Sequence, residues 1–412
     1  MSELSILLVI PPLTQLNTPY PSTAYLTGFL RSQGYRTHQA DVGIEMVLAL
    51  FSRGGLSRVF TELRKTPIDE LPGEARQMLS LERAYVETID PVIRFLQGRE
   101  PTLAPRICQG IFLPQGPRFS RTDSESRESS NRSHNQADQA KHLATLYLED
   151  LADLVQATIA PHFALSRYAE SIAMQANSYD RLEEALAQPM SLTDEWMVEA
   201  LWRHVDRHQP AVVGFSVPFP GNLYGALRMG QQLRVQRPEI KVVLGGGYPN
   251  TELRRLQEAR LFEVVDFVTL DDGERPFLCL LEYLEGKRRE TDLCRTFLRS
   301  GQHVVWQNGA REPDFSQAEV GTPTYDGLHL DQYISVLDTL NPMHRLWSDG
   351  HWNKLTVAHG CYWKQCTFCD VGLDYIGRYD VSPGELLVDR IEALIAETGR
   401  RGFHFVDEAA PP

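Results

Sequence analysis

Three cysteines near the C-terminus, Cys361, Cys366 and Cys369, stand in a C-x4-C-x2-C spacing within the segment HGCYWKQCTFCD. Thiolates this close along a loop can wrap one soft metal centre. Two chemistries fit the spacing. In the first, His359 joins the three cysteines as the fourth ligand of a structural zinc site. In the second, the three thiolates hold three irons of a [4Fe-4S] cluster and leave the fourth iron open to a substrate or cofactor. Cluster thiolates are generally supplied in fours, so a set of three suggests an open iron. The other cysteines, Cys108, Cys279 and Cys294, are scattered along the chain and read as buried thiols of apolar character. Six cysteines in 412 residues do not make a disulfide scaffold.

The motif has to be held by regular structure. KLTVA (354–358) reads as a short strand delivering the cysteine loop. A helix over about 383–398 and a second strand, Phe403 to Val406, follow and end at Asp407 and Glu408. Far upstream, LSILLVI (4–10) is an apolar run of the kind buried on both faces of a parallel sheet. The four prolines between Pro11 and Ser22 exclude a helix there. Ser22 or Thr23 then caps a helix ending near Gly34, and a strand over 36–41 completes a β-α-β opening. The alternation resumes with AVVGFSV (211–217), IKVVL (240–244) and DFVTL (266–270), each followed by helical spacing. Ligands of open parallel sheets bind beyond the carboxyl ends of the strands, where strand order reverses. Ser216, Gly245, Gly246, Gly247 and the acids Asp271, Asp272 and Glu274 arrive there. Three glycines let a ligand approach the backbone and also make an ordinary tight turn. The acids also suit the start of a helix carrying Pro276 in its first turn.

Composition bounds the rest. With 41 Lys and Arg against 54 Asp and Glu the net charge is −13, which gives no bulk attraction to nucleic acid or to an anionic membrane. The N-terminal apolar run is too short to span a bilayer and lacks the features of a signal peptide, so a cytoplasmic protein is expected. Residues 45–205 carry helical periodicity and no strand pattern. Within them, Arg118 to Lys141 is nearly free of apolar residues, which predicts disorder.

The segment GCYWKQCTFCD resembles the cluster loop of radical S-adenosylmethionine (SAM) enzymes, in particular those carrying an N-terminal cobalamin-binding domain. C-x3-C-x2-C is the more frequent spacing in that family; the extra residue is shared by some cobalamin-associated members. ILLVIPP, VVGFSVPFPGN, VVLGGGYPNTEL and FVTLDDGE resemble the strand-end motifs of those cobalamin domains, in the same order. The resemblance implies an α/β fold. Residues 1–45 and 205–290 would form an open parallel-sheet, Rossmann-like domain of cobalamin-binding type, and 46–204 a helical insertion with 118–141 disordered. A linker over 291–350 would lead to the start of a radical SAM partial barrel over 351–412. It implies a [4Fe-4S] cluster on Cys361, Cys366 and Cys369, SAM beside Phe368, Asp407 and Glu408, and cobalamin against Ser216, Gly245, Gly246, Gly247 and Glu274. No D-x-H-x-x-G motif follows the first strand, so no histidine from that motif would ligate cobalt. The activity implied is reductive cleavage of SAM to a 5′-deoxyadenosyl radical, leading to methyl transfer or rearrangement on a small-molecule or peptide substrate. A reductant such as flavodoxin or ferredoxin would be the partner. The alternative is a non-catalytic cobalamin- or zinc-binding protein. At roughly 30 residues per βα unit, the residues from Lys354 onward hold two strands and one helix where the family usually has six units. The expectation is a truncated barrel, inactive in SAM cleavage unless a second chain completes it.

Overall fold

The computed structural model describes residues 4–122, 135–165, 179–337, 350–367, 370, 372–407 and 409. Its centre is a sheet built from β1 (Ser5–Ile10), β2 (Arg36–Asp41), β3 (Val212–Ser216), β4 (Lys241–Gly245), β5 (Phe267–Thr269), β6 (Thr296–Ser300) and β7 (His303–Gln307), in the order β2-β1-β3-β4-β5-β6-β7. The first five strands are parallel, and β6 and β7 add an antiparallel hairpin to the free side of β5. The fold class read from sequence is therefore observed: α/β, with an open, mostly parallel sheet.

The two-residue period of β1 sorts its side chains between two cores. Leu7 and Val9 join the larger core, while Ile6 and Leu8 join a second one with Phe29, Leu30, Phe277 and Leu280. The second core is covered by the helices Pro21–Ser32 and Glu274–Leu284. The larger core runs without a break from the sheet into the helical insertion, through Phe60, Tyr85, Tyr147 and Leu201. The insertion is thus the sheet's second cover layer.

Three sequence expectations are corrected. The segment expected to be disordered begins and ends in helices, Pro117–Thr122 and Gln136–Thr158. Arg118 ties the first to the second, its side chain donating to Glu149 and Asp153 and its backbone N–H to Asp150. Residues 123–134 lie outside the described residues. The expected linker over 291–350 supplies β6 and β7 and then a strap docked on the sheet domain, where the Tyr333 hydroxyl donates to buried Asp41 at 2.8 Å and Ile334 N–H to Leu16 O at 2.7 Å. Ser22 does not cap the first helix. Pro21 opens that helix without a side-chain cap, which frees Ser22 for another partner.

The C-terminal part is a β-α-β unit. β8 (Asn353–Leu355) pairs in parallel with β11 (Phe403–Phe405) across the helix Gly384–Thr398. β9 (Ala358–His359) pairs antiparallel with β10 (Asp380–Val381). Leu355 and Leu394 pack with Ala24, Tyr325 and Leu328, seating this unit on the first helix of the sheet domain. No helix among the described residues is long and apolar enough to cross a membrane.

Candidate functional site

Strand order reverses between β1 and β3, whose following helices cover opposite faces, and a cavity of about 1160 Å³ opens at the carboxyl ends of the strands there. This is where an open α/β sheet places its ligands. The far wall comes from the C-terminal unit, through Lys354, His359, Arg378, His404 and Asp407. Pockets for drug-sized ligands occupy about 300–1,000 Å³, so this one has room for a larger ligand or for two side by side.

Of the residues singled out in the sequence, Ser216, Gly245, Gly246, Gly247, Glu274 and Asp407 all line the cavity. Ser216 Oγ lies 2.6 Å from Ser22 Oγ, bridging the β3 end to the first helix. The glycines answer a local packing demand. Gly246 has φ 108°, and a Cβ there would meet the Val217 backbone at 2.9 Å. One at Gly247 would meet Pro218 O at 2.8 Å. Their missing side chains let the turn after β4 press against the turn after β3, and the pair of turns makes one floor of the cavity.

The acids after β5 do more than start a helix. Asp271 is bound by Arg254 at 2.5 Å and by Arg295 at 3.2 Å. Asp272 reaches across to the C-terminal unit, bonded to Arg378 and 3.3 Å from His359 Nε2. Arg378 also meets Asp314 at 3.2 Å. Burial raises the Asp272 carboxyl above its usual range, against the pull of His359 and Arg378. Glu274 is pushed up to about 7, first by burial and then by the neighbouring charge of Asp272. The cavity wall thus holds a carboxyl group poised to exchange a proton near neutral pH.

The cysteine loop leaves β9 beside this wall. Cys361 N–H donates to Ile376 O at 2.8 Å, anchoring the loop to the short helix Asp374–Gly377. Lys364, at φ 53°, turns the loop back so that its N–H points at Cys361 Sγ at 3.5 Å. Cys361 is half-buried and Cys366 exposed, both as free thiols. A half-buried sulfur accepting a backbone N–H suits a ligating thiolate. His359 Nε2 faces Asp272. Cys369, Phe368 and Glu408 lie outside the described residues, and among those described no three His, Cys, Asp or Glu converge as a metal site. Asp407 Oδ1 accepts N–H bonds from Val357 at 2.8 Å and Ala358 at 2.6 Å. Its first task is therefore to brace the turn before the cysteines, and the sequence reading of it as a cofactor contact missed that.

Sequence reasoning also passed over Lys354, His404 and Arg378. A lysine inside an apolar strand pattern was the available signal for the first; the other two acquire meaning only through partners far away in the chain.

No protein-family model and no curated protein matches the sequence. Solved structures give remote likenesses. One is a cobalamin-dependent S-adenosylmethionine radical enzyme, OxsB, with aqua-cobalamin and S-adenosylmethionine bound: 16% identity, 51% of this chain and 27% of that one covered, TM-score 0.38. Another is the radical S-adenosylmethionine methyltransferase TsrM from Kitasatospora setae with cobalamin and a [4Fe-4S] cluster bound: 12% identity, 98% of this chain and 47% of that one covered, TM-score 0.40. The chain spans about a quarter and about half of those chains' own lengths.

Proposed function

We propose that this chain is a radical SAM iron-sulfur protein. In this reading Cys361, Cys366 and Cys369 hold a [4Fe-4S] cluster with one open iron, and the sheet domain holds a corrinoid at its strand ends. The carrying observation is convergence. β9, the strand that the cysteine loop leaves, and the carboxyl ends of β1, β3, β4 and β5 border one cavity, with His359 on its wall two residues before Cys361. The spacing of the three cysteines and the resemblance of their loop to radical SAM cluster loops support the same reading.

When bound, such a cluster supplies the electron that cleaves SAM to methionine and a 5′-deoxyadenosyl radical. The chain's own residues set the stage for it. Asp407 holds the turn that delivers Cys361, Arg378 and Asp272 lock that region against the sheet domain, and Glu274 offers a proton-exchanging carboxyl on the wall. Methyl transfer or rearrangement on a small-molecule or peptide substrate, with a flavodoxin- or ferredoxin-type reductant, completes the proposal.

Anaerobic reconstitution with iron and sulfide, followed by iron, sulfide and zinc analysis, is the test. About four irons and four sulfides per chain are expected, lost on Ala substitution of any one of Cys361, Cys366 and Cys369 and retained in Cys279→Ala and Cys294→Ala. Stoichiometric zinc without sulfide would overturn it. Equilibrium dialysis against hydroxocobalamin tests the corrinoid separately: retention is expected, and its absence would remove that half.

A further inference from the structure

A second cavity, of about 880 Å³, lies in the helical insertion. It opens between the helix Arg53–Leu63, the turn after the helix Gln136–Thr158, the segment entering the helix Leu192–His208, and Tyr224. No described residue lines both cavities. Ile159, Phe163, Met190 and Leu192 give the second one apolar walls, and its acidic and basic lining residues are Arg58, Glu62, Lys65, Asp194 and Glu195. Arg58 pairs with Glu195, and Lys65 with Glu62, each at 2.7 Å. Asp194 is left over.

Asp194 is 2% exposed. Its Oδ2 accepts from the Ser191 N–H at 2.9 Å and from the Tyr224 hydroxyl at 3.0 Å, the first bond closing the capping box of the helix Leu192–His208. The buried guanidinium of Arg228 stands 3.9 Å from the same oxygen. Its hydrogen bonds go instead to the carbonyls of Ala185, Leu186 and Gln188, to Gln231 Oε1 and to the Tyr224 hydroxyl. Asp194 Oδ1 has no hydrogen-bond partner. A buried carboxylate oxygen without a donor is costly, and such an atom in a folded protein calls for an explanation. The cap uses only the other oxygen, so it does not supply one.

We propose that this cavity binds a small molecule with an ammonium head on an apolar body, the head donating to Asp194 Oδ1. The volume falls within the range of pockets for such ligands, about 300–1,000 Å³. An ammonium brings what Oδ1 lacks, a donor together with a positive charge, in a charge-assisted hydrogen bond. The apolar walls shelter the rest of the molecule from water, while an anion would meet the carboxylate head-on.

Phenethylamine, a cation at pH 7, is the probe, and phenylacetate, similar in body and opposite in charge, is the control. Binding to the full-length folded chain is read by isothermal titration calorimetry. Saturable binding of one phenethylamine per chain is expected, at least about tenfold tighter than phenylacetate. Asp194→Asn keeps an acceptor for the cap and removes the charge, and it should weaken phenethylamine at least about tenfold. Met190→Trp enlarges a side chain at the cavity's edge that is 38% exposed. It should weaken binding by crowding the cavity while the far-UV circular dichroism stays unchanged, and it decides the matter if Asp194→Asn does not fold. No saturable binding of phenethylamine at millimolar concentration, equal affinity for phenylacetate, or wild-type affinity in Met190→Trp would each overturn the proposal. Neither metal nor corrinoid enters the experiment, so its failure leaves the cysteine reading untouched.

Discussion

Gly246→Ala probes the junction that forms the cavity floor. Gly246 has φ 108° and ψ −172°, a backbone region open essentially to glycine, where any other residue costs of order 1–3 kcal/mol. The added Cβ would also meet Val217 N, O and C at 2.9 to 3.0 Å, all backbone atoms fixed by the Val217 N–H to Gly245 O bond at 2.7 Å. Relief of that clash requires the turn after β3 to move, for about another 1–2 kcal/mol by analogy with overpacked sites. The expected loss is about 2–5 kcal/mol. Gly34→Ala is the control, because Gly34 has φ 85° and nothing within 4 Å of its would-be Cβ, so it bears only the conformational penalty of about 1–2 kcal/mol. Urea denaturation of both variants, followed by far-UV circular dichroism, reads the difference as a shift in midpoint at constant slope. If Gly246→Ala were no less stable than Gly34→Ala, the close approach of the two turns would be refuted, and with it the account of the glycine run as a packing device.

Two further outcomes follow from charged groups. His38 on β2 stacks on His208 with ring centroids 3.9 Å apart, and burial followed by the charges of His38 and His204 lowers His208 to about 4. The folded state therefore binds fewer protons than the unfolded one below about pH 6.5: this contribution is fully present above that pH and fades as pH falls toward 4, so His208→Asn should flatten the stability profile across that window. Arg378→Ala leaves Asp272 and Asp314 facing each other without their shared cation; about 1–3 kcal/mol of local stability should be lost, seen as faster amide exchange in residues 357–367 and 372–381 and unchanged exchange in β1.

The strands of the sheet domain were legible because burial on both faces writes a continuous apolar run: all six residues of β1 are buried, and so are the first four of β3. The β6–β7 hairpin was missed since β7 is half exposed, with His303 and Trp306 facing out, and its apolar alternation is correspondingly weak. The helical periodicity of segments such as Leu192–His208 was legible, whereas their fusion with the sheet's core depends on contacts such as those of β1 with that helix, which no local period records. The cysteine spacing was the clearest chemical signal. Lys354 and His404 were invisible as a pair because strand register brings them together although they are 50 positions apart. Asp272 and Arg378 meet across 106 residues for the same kind of reason.

The position of β1 between β2 and β3 also has a temporal side. One flank of β1 is satisfied by β2, which ends at Asp41, but the other waits for β3, which starts at Val212. At about 5–20 residues per second of synthesis, that flank stays open for roughly 10 to 30 s while the helices between are being made. An unpaired edge on so apolar a strand invites wrong partners. The helices emerging in that interval can cover Leu7 and Val9 early, yet they offer nothing to the strand's bare backbone. Ribosome-bound chains stalled between these two points are thus the forms most in need of a chaperone, and slowing translation across the insertion should lower the soluble yield more than slowing it anywhere after β3.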